Sequence, residues 1–316
     1  MSAFEIAACP VCATSDFSLL ADANSIKRQI EALWEFHTRR IRPGAPVQQL
    51  FDRAIFSQHP PVHVVQCCHC GTVLRNPREA GEDIVDSYAS EAPPEAALPA
   101  LFAEQLAFYR PRVRKLTGML GRGGSVLEVG SYVGGFLLAA SDAGWQAEGI
   151  DVNTAANAFA AARGCTVSVA TIDAWQTNRR YDVVAFWNCF DQLPDARAAL
   201  VRAYELLAAH GLLVLRVPNG ACYAALLDAP LGRTLLAHNN LLGFPYRNGF
   251  TVRALQKLAD DVGFRATRAR GDTLVSTASV WTRSWTLLEQ RALKLAMRRL
   301  LPTRIAPWLE FFAWKS

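Results

Sequence analysis

The sequence predicts an α/β protein in which a doubly wound, mostly parallel sheet follows a small N-terminal metal-binding domain. Two observations carry this prediction. From Ser125 onward, short apolar runs alternate with helical segments, the order that produces a parallel sheet covered by helices. Ahead of that region lie two Cys-x-x-Cys pairs. We expect residues 1–80 to form the small domain, 81–101 a linker rich in Ala, Pro and Glu, and 102–316 the sheet domain.

The composition excludes several classes of protein. The chain has 316 residues, of which 51% are hydrophobic and 10% aromatic, so it can bury a large core and is not intrinsically disordered. No apolar run approaches the roughly 20 residues that cross a bilayer, and Met1–Glu5 lack the layout of a signal peptide. We therefore expect a cytoplasmic protein, whose thiols are metal ligands or buried apolar groups rather than disulfides.

The net positive charge comes from the C-terminal segment. Residues 281–316 contain seven basic and two acidic residues, which accounts for the whole net charge of +5. The neutral remainder argues against a nucleic-acid-binding surface and a nucleic-acid partner. The basic helix predicted at 281–301 has two interpretations. It could present a surface for an anionic substrate or an acidic membrane, or it could dock on the protein through an apolar stripe and leave its cationic face in solvent.

The alternation after Ser125 can be assigned element by element. Apolar runs predict strands at 125–129, 147–150, 166–169, 182–187, 212–217, 264–270 and 308–314. Helical periodicity predicts helices at 25–40, 47–56, 102–120, 135–143, 154–163, 195–208, 252–262 and 281–301, the last as an insertion before the final strand. We expect His210-Gly211 to end the helix at 195–208. Ligands of a doubly wound sheet bind at its carboxyl edge.

The sharpest chemical signal is the glycine-rich turn from Gly130 to Gly135, which follows a buried strand and opens a helix. A dinucleotide site requires glycine at position 132, where the backbone approaches the pyrophosphate, and Tyr132 disfavours that ligand. Glu128 can instead accept hydrogen bonds from a cationic amine, which suits a ligand with an amino-acid moiety. Asp151 ends the next strand, where an acid binds ribose hydroxyls.

These residues resemble class I S-adenosylmethionine-dependent methyltransferases over about residues 105–315. The resemblance implies a Rossmann-like sheet, S-adenosylmethionine as cofactor, and binding of its methionine and ribose parts by the two acidic motifs. Tyr132 departs from the commonest form of the loop, which has glycine there. The residues that the resemblance assigns to the cofactor are Glu128, Gly130, Ser131, Tyr132 and Gly134 for the methionine end, Asp151 for the ribose, Val152, Ile172 and Asp173 for the adenine, and Trp187 and Asn188 beside the methyl group.

The two Cys-x-x-Cys pairs supply four thiolates, enough for a closed tetrahedral zinc site that leaves no position for a catalytic water. The predicted ligands of this structural Zn²⁺ are Cys9, Cys12, Cys67 and Cys70. The long separation of the pairs makes the intervening helices an insertion within a zinc ribbon. Cys68 and His69 are alternative ligands, and unliganded thiols are the competing interpretation. Cys165, Cys189 and Cys222 lack such partners and are predicted to be buried apolar residues.

A ribbon of this kind ahead of a class I domain is similar to that of bacterial methyltransferases of saccharide and natural-product pathways, including deoxysugar C-methyltransferases. The resemblance implies a small-molecule acceptor, with an anionic or nucleotide-linked one among the candidates, and a zinc domain that helps to cover the substrate site. Two alternatives stay open. The ribbon could direct methyl transfer to RNA or protein, or the chain could be a non-catalytic scaffold with a vestigial cofactor pocket.

The acceptor is expected to contact the polar segment 237–251, after the fifth strand. Enzymes that resemble this one place a histidine four residues before an aromatic-Thr/Ser pair, and counting back from Phe250-Thr251 gives Tyr246. Tyr246 or His238 is therefore a candidate base or acceptor-orienting group, with Asp191, Asn219 and Asn240 as supporting residues. A base is needed only if the acceptor loses a proton.

Overall fold

The computed structural model describes residues 4–45, 61–90, 95–227, 229, 236, 247–272, 282–299 and 302–316. The predicted helix at 47–56 lies outside these residues. The chain divides into two compact units, of which the first comprises Met1–Ala80, Val217–Leu258 and Ala269–Phe311, and the second Gly81–Arg216, Ala259–Arg268 and Phe312–Ser316. Two segments of the predicted sheet domain, 217–258 and 269–311, therefore group with the N-terminal 80 residues.

The strands of the described residues form two larger sheets and one short pair. They are β1 Phe4–Glu5, β2 Phe17–Ala21, β3 Val64–Cys67, β4 Val73–Arg75, β5 Arg78–Glu79, β6 Ser125–Val129, β7 Gln146–Asp151, β8 Thr166–Val169, β9 Tyr181–Trp187, β10 Leu207–Pro218, β11 Asn248–Gly249, β12 Ala266–Asp272 and β13 Trp308–Trp314. The predicted bounds of β6, β8 and β13 coincide with the observed ones.

The larger sheet has seven strands in the order β12-β13-β10-β9-β6-β7-β8. Strands β10, β9, β6, β7 and β8 pair in parallel with their neighbours. The chain leaves β6 toward β7 on one side and later returns to β9 on the other, so the direction of winding changes at β6. This switch point is where open α/β sheets bind ligands.

The helices are α1 Ala23–Thr38, α2 Gly81–Ser90, α3 Leu98–Leu120, α4 Gly135–Asp142, α5 Thr154–Ala161, α6 Ala196–Leu206, α7 Gly220–Leu226, α8 Val252–Val262 and α9 Trp285–Arg299. None of those described combines the length and apolar content needed to span a bilayer. On α9, Leu288 and Leu295 are exposed, so the predicted apolar stripe is not fully covered.

Two predicted features differ from the structure. The segment 81–101, predicted as a linker, contains α2 and the start of α3. Helix α6 ends at Leu206, four residues before the predicted stop at His210-Gly211. Leu206 and Leu207 are both buried, and β10 begins at Leu207 with an irregularity before Leu212, within which His210 takes a left-handed φ of 60°. Burial of the two leucines thus outweighs the glycine stop signal.

The core of the second unit explains the continuous apolar run of β9. Val183, Val184, Ala185 and Phe186 are all fully buried, as expected for a parallel strand covered on both faces. At the carboxyl end of this strand, the Trp187 ring lies 5.5 Å from that of Tyr109 and 5.6 Å from that of Phe136. These aromatic rings fix the end of β9 beside the turn that follows β6.

The first unit is built around an antiparallel four-stranded sheet in the order β11-β4-β3-β2. Its small core combines residues that are far apart in the sequence, among them Ile26, Val73 and Tyr223. Gly220 lies so close to β11 that a Cβ there would be 2.1 Å from the carbonyl oxygen of Gly249. Only glycine fits at that approach.

Candidate functional site

The glycine-rich turn joins β6 to α4 at the switch point. Gly130 N donates to Ile150 O at 2.8 Å, and Ser131 N donates to the same oxygen at 3.2 Å. The φ angles are 74° at Gly130, 46° at Tyr132 and 80° at Gly134. A Cβ at Gly130 would lie 2.9 Å from Cys189 Sγ, which explains the glycine there. Tyr132 adopts the left-handed conformation although it is not glycine, so the turn keeps its shape.

Asp151 closes this turn from the end of β7. Its Oδ2 accepts a hydrogen bond from Tyr132 N at 2.9 Å, and its Oδ1 accepts one from Asn153 N at 2.8 Å. Burial raises the pKa of Asp151, while these backbone donors oppose the rise. Each carboxylate oxygen keeps a second lone pair for a ligand hydroxyl. The carboxylate therefore both holds the turn and offers acceptors at the sheet edge.

Glu128 lies on β6, two residues before the turn, and is only 2% exposed. Its Oε2 has no hydrogen-bond partner among the described residues, and the same holds for Ser131 Oγ and for Trp187 Nε1. Burial, with the neighbouring Asp151 adding to it, raises the pKa of Glu128 well above its usual value. A buried acceptor without a donor is costly. A ligand amine would supply the missing donor, so this chemistry fits the amino-acid end of S-adenosylmethionine.

A polar group follows the carboxyl end of β9. Asn188 has a left-handed φ of 61°, its N donates to Arg216 O at 3.1 Å, and its side-chain oxygen accepts from Arg216. Asp191, in the next short helical turn, is fully buried. Burial raises the pKa of Asp191, and the charge of Arg216 opposes the rise. The structure thus brings Trp187, Asn188 and Asp191 to one strand end.

The other predicted site residues differ in their surroundings. Val152 is half-buried and follows Asp151 directly, Ile172 is buried, and Asp173 is exposed. His238 and Tyr246, the candidate acceptor residues, lie outside the described part of the chain. Their roles stay predictions.

Tyr88 is a contact of this site that the sequence did not reveal. Its phenol donates to Gln192 Oε1, and Gln192 Nε2 donates to Asn188 O at 2.7 Å. Its backbone carbonyl accepts from Asn153 Nδ2 at 2.8 Å. Helix α2 is thereby connected to the ends of both β9 and β7. In the sequence, Tyr88 stands out only as an aromatic residue within the segment 81–101, which is rich in Ala, Pro and Glu.

We expect Tyr88→Phe to loosen the end of α2, because the variant removes the hydrogen bond to Gln192 while keeping the ring. The cost is about 1 kcal/mol, the usual net value of one hydrogen bond. Hydrogen exchange should become faster in residues 85–90. As a matched control, Tyr181→Phe removes a phenol that donates to Glu148 at 2.6 Å and should leave that segment unchanged. Equal exchange in wild type and Tyr88→Phe would contradict the prediction.

The four predicted metal ligands come together in the first unit. The Sγ atoms of Cys9, Cys12, Cys67 and Cys70 all lie within 4.8 Å of one another. The Cys9 and Cys70 Sγ atoms lie 3.4 Å apart, and their hydrogen bond raises the pKa of Cys9 and lowers that of Cys70. Gly71 takes the left-handed φ of 77° that the turn after a Cys-x-x-Cys knuckle requires. Four mutually close thiols fit a tetrahedral metal ion.

The alternative ligands lie outside this cluster. Cys68 is exposed and belongs to no metal-ligand group found among the described residues. The His69 Nε2 atom instead lies 3.2 Å from Asp16 Oδ2 at the surface. Of the other cysteines, Cys165 and Cys222 are buried as expected, and Cys189 is half-buried with its Sγ donating to Val129 O at 3.0 Å.

Comparison with solved structures finds methyltransferases at low identity. One, from Thermotoga maritima and described as a possible histamine N-methyltransferase, is 15% identical, with a TM-score of 0.46 over 69% of this chain and 94% of that one. The plantazolicin methyltransferase BpumL with S-adenosylhomocysteine is 15% identical, with a TM-score of 0.47 over 73% and 94%. Magnesium protoporphyrin IX methyltransferase from Synechocystis PCC 6803 is 14% identical, with a TM-score of 0.43 over 75% and 91%.

Comparison of the sequence itself is more informative. No curated protein shows significant similarity to the chain. A family model described as a methyltransferase domain matches residues 102–269, which include the glycine-rich turn, Asp151 and the end of β9. Because this match spans more than half of the chain, the protein belongs to this family of S-adenosylmethionine-dependent methyltransferases.

Proposed function

We propose that the turn after β6 binds S-adenosylmethionine with its methionine end at Glu128. The observation that carries this proposal is the buried Glu128 carboxyl group, whose Oε2 has no hydrogen-bond donor among the described residues. The methionine end then also contacts Gly130, Tyr132 and Gly134. Asp151 binds the ribose, and the adenine lies against Val152, Ile172 and Asp173. When bound, the cofactor supplies a sulfonium methyl group for in-line transfer.

We further propose a small-molecule acceptor of the saccharide or natural-product class. The neutral charge of the first 280 residues favours it over RNA. Trp187 and Asn188, at the end of β9, lie beside the transferred methyl group in this proposal. Among the described residues, Asp191 is the candidate for removing an acceptor proton, since burial raises the pKa of its carboxyl group and so makes the carboxylate a stronger base. His238 and Tyr246 are the other candidates.

The proposal is tested with the full-length protein in two measurements. Calorimetry with S-adenosylhomocysteine measures cofactor binding, and a screen of saccharide and natural-product acceptors with S-adenosylmethionine detects the by-product S-adenosylhomocysteine. Turnover that Asp191→Asn reduces while cofactor affinity stays unchanged supports the assigned roles. Turnover with RNA or protein only would overturn the acceptor class.

We expect Glu128→Gln to weaken cofactor binding and to stabilise the free protein. Loss of one hydrogen bond from a charged amine corresponds to about 10- to 100-fold in affinity. In the free protein the pKa of Glu128 is raised, so the folded state binds more protons than the unfolded state and stability falls as pH rises above the usual value of 4.5. Glu128→Gln has no carboxyl group to ionise, so this loss of stability is absent from the variant. Thermal unfolding at neutral pH should therefore show a higher midpoint.

The pH dependence of binding separates the role of Glu128 from a general disturbance. A cationic amine favours the ionised carboxylate, so binding releases a proton and affinity rises with pH until Glu128 ionises in the free protein. Asp151, whose pKa is raised as well, contributes a second part of this slope. We expect the slope to shrink in Glu128→Gln, and an unchanged slope would contradict the assignment.

We also propose that Cys9, Cys12, Cys67 and Cys70 hold one structural Zn²⁺. The close approach of the four Sγ atoms supports this assignment. The ion would join the two Cys-x-x-Cys segments and favour thiolates over thiols. A cytoplasmic location, and weak contact of the basic C-terminal helix with an acidic membrane surface, stay predictions from the sequence.

A further inference from the structure

A group of buried arginines in the first unit is not used by the proposed cofactor or zinc sites. Arg75, Arg78 and Arg247 are at most 8% exposed. Arg75 Nη2 donates to Glu79 Oε1 at 2.9 Å, and Arg247 Nη2 donates to the backbone carbonyl of Glu79 at 3.1 Å. Both Arg78 Nε, at 2.8 Å, and Arg247 Nη2, at 2.7 Å, donate to Glu5 Oε1. The arginine cluster therefore brings together three guanidiniums and two carboxylates.

Arg247 has unused hydrogen-bonding capacity inside this cluster. Its residue is 1% exposed, yet its Nε and Nη1 atoms have no hydrogen-bond partner within the described part of the chain. Burial, with the neighbouring Arg78 adding to it, lowers the pKa of Arg247 to about 10. Buried charged donors without acceptors are rare and costly in native proteins. An anion would supply the acceptors that these donors lack.

Glu5 indicates how an anion can reach these donors. Its side chain is 42% exposed although its Oε1 contacts two buried guanidiniums, so solvent reaches the cluster at this carboxylate. One carboxylate oxygen already bridges Arg78 and Arg247, which is the geometry that a second carboxylate or a phosphate would use. An incoming anion would compete with Glu5 for Arg247 Nη2 and also satisfy the unused donors.

We propose that Arg247, together with Arg78, binds an anionic ligand through a carboxylate or a phosphate group of that ligand. Arginine suits either group because its planar guanidinium donates two parallel hydrogen bonds.

The test uses the full-length, zinc-loaded protein with two probes, inorganic pyrophosphate and succinate, in calorimetry at low and high salt. We expect saturable, salt-sensitive binding of at least one probe, and the tighter probe identifies the class of the anionic group. Arg247→Lys should bind about tenfold more weakly, because lysine keeps the charge but loses the two-pronged geometry. Arg39→Met, which changes an exposed arginine, is the matched control and should bind like wild type.

A second variant keeps the proposal testable if changes at Arg247 disturb folding. Glu5→Gln removes the competing negative charge, so we expect it to bind the probe several-fold more tightly than wild type. A purely structural cluster predicts no anion binding in any of these proteins, and that result, or equal affinity in wild type and in folded Arg247→Lys, would overturn the proposal. Binding of S-adenosylhomocysteine, measured in parallel, reports separately on the proposed cofactor site.

Discussion

Asp151→Ala is expected to lower the affinity for S-adenosylhomocysteine by at least about 100-fold. The variant removes the proposed acceptors of the ribose hydroxyls, and each hydrogen bond to a charged group contributes about 1.5–3 kcal/mol. It also removes the acceptor of Tyr132 N, which holds a left-handed residue in the glycine-rich turn. Both losses act on the same ligand, so the effect exceeds that of a single contact. Calorimetry measures it directly.

The matched control for this variant is Asp142→Ala. Asp142 is an exposed acid at the end of α4 that lies 3.2 Å from Arg110. Exposed pairs of this kind contribute little to stability, so the control should bind the cofactor like wild type. Asp151→Asn keeps one acceptor oxygen and should fall between the two. If Asp151→Ala binds as tightly as Asp142→Ala, Asp151 does not contact the cofactor.

Cys67→Ser is expected to lose the metal ion and with it the folded state of the N-terminal region. Structural zinc sites contribute roughly 10–16 kcal/mol of binding free energy near neutral pH, far more than the usual stability of a domain. Elemental analysis should find about one zinc per chain in wild type and none in the variant. Circular dichroism and hydrogen exchange of residues 61–80 would report the accompanying unfolding.

The neighbouring cysteine offers a close control. Cys68 is adjacent in sequence but exposed and outside the sulfur cluster, so Cys68→Ser should keep both the metal and the fold. A chelator added to wild type or to Cys68→Ser should cause the same loss of metal and of folded structure as Cys67→Ser. If freshly purified wild-type protein contains no metal, or if Cys68→Ser loses it, the proposed ligand set is wrong.

Elements with strong local signals could be predicted from the sequence. The helix Val252–Val262 has the predicted bounds, as do the strands Ser125–Val129 and Trp308–Trp314, because the helix has a clear helical apolar periodicity and each strand is a mostly apolar run. The cysteine spacing likewise predicted four sulfurs that the structure brings together. The sequence could not separate Cys68 and His69 from the predicted ligands Cys67 and Cys70, because these four residues are consecutive. The structure places Cys68 and His69 outside the sulfur cluster.

The contacts that could not be predicted join residues that are far apart in the sequence. The segment 81–101 resembles a linker by composition, yet Tyr88 contacts Gln192 and Asn153, more than 60 residues away. No local window contains that information. The arginine cluster is a stronger case, because Glu5, Arg78 and Arg247 each look like ordinary surface residues until the fold buries the two arginines beside Glu5.

The pairing of β4 with β11 has a consequence for how the protein is made and cut. Val73–Arg75 pairs with Asn248–Gly249, and Thr251 Oγ1 donates to the carbonyl of Cys70, so the four-stranded sheet of the first unit is completed by chain synthesised about 170 residues later. A polypeptide that ends before residue 247 would leave β4 with an unpaired edge. The cysteine-rich region is therefore not a detachable module, and excising residues 1–80 would remove the partner strand of β11.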